Sequence, residues 1–422
     1  MATRATDSVR CVPFSEGKDF VMMKKILMVA CAAAGLMAVA EPQVSNVTVA
    51  KDARSRKVTI AYDLNEDAIV TAEILVDGTP LDVPKIWAGE VNRFVAAGSG
   101  KKIHWQGDID WPLHAAAKLG VKVTAWTKAL PPDYMVVRLF DDVGPKIWYY
   151  ASANDIPGGP TDRRYKSDYL LMRRVPAKGI HWRMGNPSTV TIPGPNSQTH
   201  YVTLGSDYYV GVYEFTEAQF QHVGGSRAAG PYFASSADSQ YFPMTGVFYK
   251  NNVRGNVAAN ADVASDSILG KLRQRTGITS FDLPTDAQWE FACRAGTSTT
   301  LNDGTQTDWD GTGVNNMNAV AWNKHNAGGV PHEVGLKKPN AWGIYDMLGN
   351  AAEWVRDCEH TYTDQDDDTD PLWTGSEYYR RGGSFTLDGW DCNSGTRNYS
   401  HGGWSGDGNK WTGFRVMCGM TE

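Results

Sequence analysis

The sequence predicts two folded parts: an all-β sandwich module of immunoglobulin or fibronectin type, then a larger domain of short strands, long loops and few helices. Three observations predict it. Residues 43–128 hold roughly six runs of β-forming residues separated by turn signals, the spacing of a small sandwich. From about residue 135 onward the chain turns Gly-, Trp- and Asn-rich. With 43 Gly and 15 Trp in 422 residues, irregular backbone pinned by large, partly polar aromatics is expected there. Signals for helix starts are sparse in that second part.

Taken in chain order, the first feature is an export signal. Lys24 and Lys25 form a basic region, residues 26–37 an apolar run, and Ala38-Val39-Ala40 a small-residue cleavage pattern. The run is too short to span a bilayer comfortably, so no stable membrane span is expected and cleavage near Ala40 leads outside the cytoplasm. Residues 1–21 are then an upstream mis-start or an unusual extension. Cys31 as a lipoprotein site is the weaker reading, because little apolar sequence precedes it.

Strands of the sandwich are expected around Val58-Thr59-Ile60-Ala61-Tyr62, residues 69–74, Lys102-Ile103-His104-Trp105 and residues 121–126, with Asp77-Gly78 as a turn. No His, Cys or carboxylate cluster with ligand spacing occurs in this part, so it reads as a spacer or docking module. Pro131-Pro132 stiffens the connection to the domain at 135–420. There, Thr285-Asp286-Ala287-Gln288 opens a helix with a capping box; Trp289, Ala292 and Cys293 share its inner face, and Gly296 is expected to end it. A second box, Thr216-Glu217-Ala218-Gln219, opens a shorter helix through His222.

Composition excludes several classes. Hydrophobic residues at 42% and charged residues at 21% describe a folded chain. A net charge of −6, with no basic stripe, argues against nucleic-acid binding. Six Cys are present, and loss of a leader ending at Ala40 would leave Cys293, Cys358, Cys392 and Cys418. Four cysteines in an exported chain fit two disulfides in any of about three pairings; buried free thiols are the competing reading, for Cys418 above all.

Six segments, in order, carry a family resemblance: residues 208–216, residues 283–294, residues 339–347, Gly349-Asn350-Ala351-Ala352-Glu353-Trp354, Arg381-Gly382-Gly383-Ser384-Phe385 and Gly413-Phe414-Arg415-Val416. Together they resemble the formylglycine-generating enzyme, or sulfatase-modifying factor, family over residues 135–420. The resemblance implies a compact, loop-rich α+β fold related to C-type lectins and stabilised by calcium. Calcium prefers hard oxygen ligands in a flexible loop. Asp346, Gly349, Ala351 and Glu353 match the family's calcium loop, and Asn318 and Ala319, with Asn326 and Gly328 as further partners, match a second one. The plainer reading of Glu353 is a solvent-facing carboxylate or a partner of Arg381.

Enzymatic members of that family hold copper(I) between two cysteines and oxidise a substrate cysteine to formylglycine. Soft thiolates suit copper(I). Counting from Gly382-Gly383-Ser384, the first cysteine position falls on Leu387 and the second on Cys392. Asp388 stands where the family has His, and Ala352 where it has a pocket Trp. Ser384 is kept, although it also serves simply to close a turn. In a shifted register Cys392 matches a structural cysteine bridged to the central helix, which would give a Cys293–Cys392 disulfide. Either way no cysteine pair remains, so copper is not expected.

No nucleophile elbow, phosphate loop or zinc-helix motif occurs, and the acidic run at 364–370 reads as a solvated loop. The expectation is an exported binding protein whose pocket, near Ala352, Ser384, Leu387, Asp388 and Trp390, takes a glycan or a protein segment. Trp390 and Trp404 would stack on a ring, or else pack in the core. The alternatives are an oxidase that uses Cys392 on a sulfatase partner, and an oxidoreductase using another metal in the same pocket.

Overall fold

A computed structural model describes residues 10–13, 41–52, 57–81, 87–111, 119–140, 146–186, 198–226, 238–307, 316–401 and 410–420. The chain is β-rich with few helices and divides into two units, residues 1–132 with 149–159, and residues 133–148 with 160–422. The leader's basic and apolar segments, and Trp404, lie outside the described residues. No described helix is long and apolar enough to cross a membrane.

The first unit contains two antiparallel sheets around one core. One sheet runs Val44–Lys51, Val58–Leu64, Gly98–Trp105, Trp87–Gly89. The other joins Arg10–Pro13, Leu119–Trp126, Ala68–Val76 and Thr79–Pro80, with Arg93–Val95 also on Ala68–Val76. Val58–Leu64 buries alternate residues, as a strand with one inward face must. Ile60, Tyr62, Val70, Ile74, Ile103, Trp105, Val121 and Val123 fill the space between. Asp77 and Gly78 both have positive φ, 51° and 85°, the turn whose twist suits a two-residue hairpin. A single helical turn, α1 (Gly107–Asp110), places Asp110 to accept the Trp105 Nε1–H at 2.7 Å. Arg10–Pro13 lies upstream of the expected leader, yet it pairs along Leu119–Trp126 from Arg10↔Val123 to Pro13↔Gly120.

In the second unit, one antiparallel sheet includes, as successive neighbours, Tyr134–Arg138, Tyr169–Val175, Tyr208–Gly211, Met417–Gly419 and Phe281–Asp282. Another places Asn398–His401, Glu377–Arg381, Ala352–Cys358 and Thr412–Phe414 in that order, the last pair parallel. A third pairs Ile180–Met184 with His200–Leu204, and the latter in parallel with Asp367–Thr369. The acidic run expected to be a loop therefore supplies a short edge strand. Most of its carboxylates stay exposed, which is why composition alone read as solvated.

Three longer helices stand among the sheets: α2 (Glu217–His222), α3 (Ile268–Thr276) and α4 (Asp286–Arg294). Both expected capping boxes form. In α4, Thr285 N–H donates to Gln288 Oε1 at 2.9 Å and Gln288 N–H to Thr285 Oγ1 at 3.2 Å. Trp289, Ala292 and Cys293 are fully buried. The helix ends one residue earlier than expected: Ala295 itself takes the left-handed conformation, with φ 46°, and its N–H reaches back to Phe291. Gly296 follows with φ 91°.

The segment carrying Gly349 is fixed by a close approach. Ala321–Trp322 runs parallel to Leu348–Gly349, and Asn350 N–H donates to Trp322 O at 2.8 Å. Gly349 has φ 74°, and a Cβ there would lie 2.2 Å from that same carbonyl. Gly349→Ala is expected to destabilise the second unit by about 3 kcal/mol or more, since left-handed strain adds to a backbone clash. Denaturant unfolding checks this; a wild-type midpoint would refute it.

Candidate functional site

Two carboxylates one turn apart on α4 organise the site. Asp286 accepts from Arg381 Nε and, at 2.6 Å, from Arg397 Nε. Glu290 accepts from Arg381 Nη2 at 2.5 Å and from Arg294 Nε at 2.8 Å, and takes the Gly185 N–H at 2.7 Å. All five side chains are buried, and Arg381 also donates to the Ser394 and Thr396 carbonyls at 3.1 and 3.0 Å. Burial pushes Glu290 up, but Arg294, Arg381 and Arg397 outweigh it and hold the carboxyl at about 2. Burial, then Asp286, raises the neighbouring Asp357 to about 7, although it accepts from Asp286 N–H and Trp373 N–H.

Arg381 thereby fixes the start of Gly382-Gly383-Ser384, the turn that leads into the expected pocket. A Cβ on Gly383 would sit 2.6 Å from Cys392 Sγ, so the turn packs directly on that thiol. Ser384 is fully buried, with its hydroxyl 3.1 Å from Thr386 Oγ1; Ala352 is also buried, in the strand beside Thr412–Phe414. Leu387 and Trp390 are half-buried. The Leu387 carbonyl accepts from Lys324 N–H at 3.0 Å, and Asp388 is held by Lys324 Nζ at 2.5 Å and His325 Nε2 at 3.0 Å. Burial raises Asp388, but Lys324 and His325 bring its carboxyl below the usual range. Sequence reasoning missed Lys324 and His325, whose meeting with Asp388 joins segments far apart in the chain.

The expected Cys293–Cys392 disulfide does not form. Cys293, Cys358, Cys392 and Cys418 are all free and buried. Cys293 Sγ points to Ser394 Oγ at 3.5 Å, and Cys392 Sγ lies 3.9 Å from the Ser384 carbonyl, so the two sulfurs are satisfied by different partners. Burial pushes the Cys293 thiol up to about 12 and Cys358 to about 11, and lifts Cys392 and Cys418 as well. Enclosed and held protonated, the Cys392 sulfur is a poor donor for copper(I), which takes paired thiolates.

In the loops assigned to calcium, the side chains also bond to other parts of the chain. Glu353 partners Arg415, not Arg381. Arg415 Nη2 lies 2.8 Å from Oε1, its Nε 3.1 and 3.2 Å from the two oxygens, and Trp289 Nε1–H donates to Oε2 at 2.6 Å. Asp346 accepts from Gly335 N–H at 2.5 Å through Oδ2, while its buried Oδ1 has no hydrogen-bond partner. Glu214, fully buried, takes the Ala351 N–H and the Asn350 side-chain amide, each at 2.7 Å. In the second loop Asn318 Oδ1 accepts from Asn326 at 2.7 Å, and the Asn318 carbonyl accepts from Lys337 Nζ at 2.5 Å. Glu353 and the Asn318 carbonyl are thus engaged within the chain, while Asp346 Oδ1 is left as an open buried acceptor. Among the described residues no group of three or more His, Cys, Asp or Glu could hold a metal ion.

Compared with known proteins, residues 156–419 match the sulfatase-modifying factor enzyme 1-like domain family. A curated relative, "Chaperone protein LppX" of Paenibacillus barcinonensis, is 28% identical over 183 residues, 36% of this chain and 62% of the relative's length. Treponema denticola variable protein 1 is similar at 22% identity and TM-score 0.49, covering 59% of this chain and 95% of that structure. PvdO from Pseudomonas aeruginosa is similar at 23% and 0.46, covering 59% and 94%.

Two outcomes follow from this geometry. The folded protein should resist thiol-modifying reagents at Cys293, Cys358, Cys392 and Cys418 and react at all four after denaturation without reductant; a reductant requirement would restore the disulfide. Because the folded Glu290 carboxyl lies below its ordinary value of 4.5, near 2, its stabilisation is complete above about 4.5 and lost as pH falls toward 2. Melting temperature should therefore drop steeply below pH ~4.5, and a flat acid limb would contradict the ion network.

Proposed function

The chain belongs to the sulfatase-modifying factor enzyme 1-like family, and from that membership we propose that it is a binding member without copper oxidase chemistry. The observation that carries this reading is Leu387, a side chain with no metal-donating atom at the position of the first metal-binding cysteine. Its neighbour Asp388 is tied to Lys324 and His325, and the remaining thiol, Cys392, is enclosed and protonated. A polar rim around a half-buried Leu387 and Trp390 suits recognition of a glycan ring or a protein segment. The chaperone named among the relatives weights this toward protein, although this chain spans 62% of that relative.

On this reading the first unit is an immunoglobulin- or fibronectin-like docking module, the second is related to C-type lectins, and the chain works outside the cytoplasm after its leader is removed. The rival is formylglycine formation on a sulfatase cysteine, with Cys392 as one ligand.

The test is direct. Purified protein is incubated with copper(I), oxygen and a cysteine-containing sulfatase peptide, and the peptide mass is followed. No aldehyde is expected. In parallel, binding to immobilised glycans and to a reduced, unfolded protein is measured, with binding to the latter expected and reduced by charge reversal at Lys324. Catalytic turnover, or binding to neither class, would overturn the proposal.

A further inference from the structure

We propose that residues 361–372 form an acid-sensitive lid, closed while His200 is neutral and lifted when that buried imidazole takes up a second proton. The device would operate whatever the pocket near Leu387 binds. It rests on a loop whose two ends are clamped together and whose middle is seated by an inward-facing aromatic side chain.

The ends of the loop are fixed. His360 and Trp373 stack face to face, with ring centres 3.6 Å apart. Tyr379 Oη accepts the His360 N–H at 2.8 Å and donates to the His360 carbonyl at 2.7 Å, while the Trp373 carbonyl accepts from Cys358 N–H at 2.9 Å. Asp357, which accepts the Trp373 N–H at 3.2 Å, belongs to this neck and stays covered when the middle moves. Between the ends most side chains are exposed, but Tyr362 turns inward and is 4% exposed. The loop lies along His200–Leu204, with Tyr201 N–H donating to Asp366 O and Asp370 N–H to Thr203 O, each at 2.9 Å.

His200 is 1% exposed, and its ring lies 3.9 Å from that of Tyr362 and nearly parallel to it. Its Nδ1–H donates to the Gln198 carbonyl at 3.1 Å, and its Nε2 is buried with no hydrogen-bond partner. A neutral ring tolerates that bare nitrogen. A second proton would place an N–H and a full charge where no acceptor stands. The charged neighbours do not reverse this. Burial and then Arg397, whose guanidinium also lies over the Tyr362 ring at 4.5 Å, outweigh the Gln198 bond, Glu290 and Asp286, and hold His200 below its ordinary 6.5. Asp366, on the loop itself, pulls the other way from a partly exposed position. On the outer surface His181 pairs with Asp367 at 3.0 Å, an exposed contact worth little. Lifting Tyr362 lets water reach Nε2, so the open loop binds one proton more than the closed one.

Amide hydrogen exchange on the full chain, corrected for intrinsic rate, tests the lid between pH ~7.5 and ~5.5. Because the closed lid holds His200 below 6.5, opening read at the Tyr201 and Asp370 amides is expected to grow as pH falls past that value, by about tenfold per pH unit at most. The Trp289 N–H, bonded to Thr285 O inside α4, should keep its protection. His200→Phe retains a ring against Tyr362 but cannot take the proton, and its lid amides are expected to exchange without that pH dependence. Flat protection at Tyr201 and Asp370 in the wild type, or a loss shared equally by Trp289, overturns the proposal, as does a pH slope that survives in His200→Phe. Should the variant fail to fold, an NMR titration of the wild-type His200 ring decides. Protonation in step with the loss of lid protection supports the device, and a protonated ring under a still-protected lid refutes it.

Discussion

The second unit depends on a buried exchange of charge between one short helix and the chain that returns to it. Asp286 and Glu290 project from α4 into arginines that arrive from elsewhere in sequence, and no water-facing side exists through which either charge could be relieved. Isolated burial of any of these groups would cost several kcal/mol; mutual pairing makes the arrangement tolerable only when all partners are in place. That all-or-none quality is what allows a domain with little regular secondary structure to hold one conformation. Arg381 carries that order onward, because the residue fixed by the helix is also the one from which the Gly-Gly turn departs.

The same logic runs through the loops that resemble metal sites. Carboxylates and carbonyls converge, as they must wherever irregular backbone is enclosed, and their accumulated negative potential has to be met. Arg415 meets part of it, through Glu353 and the Gly211 and Tyr345 carbonyls. Beside the Gly-Gly turn, the acid next to Leu387 is claimed by Lys324 and His325.

Much of this was legible in the sequence, and the limits are physical. Both capping boxes were readable because their reciprocal bonds lie within four residues. The inner face of α4 was readable from helical spacing. Helix α3 was missed: Ser267 caps it and Gly277 ends it, but Gly270 at the third position leaves no reciprocal side chain and blurs the pattern. Arg415 lay in a recognised motif, yet its partnership with Glu353 depends on packing across strands that no local signal encodes; the cross-strand neighbour of Glu353 is Arg381, which made that pairing the natural guess. Lys337 carried no signal at all. The disulfide expectation failed because matching a register says nothing about where two sulfurs point.

The polypeptide passes between its two units more than once. After Pro132 the polypeptide enters the second unit, then goes back to the first for residues 149–159, where Tyr149 N–H donates to Asn92 O at 2.7 Å, before resuming at Pro160. The boundary is crossed three times, so no single cut yields two intact pieces. A fragment beginning just after Pro132 carries an eleven-residue insert stripped of its natural neighbours, while one beginning at Pro160 forfeits Tyr134–Arg138, the strand paired with Tyr169–Val175. Fragment-based expression of the family domain is therefore better served by keeping the whole polypeptide from its first sheet onward.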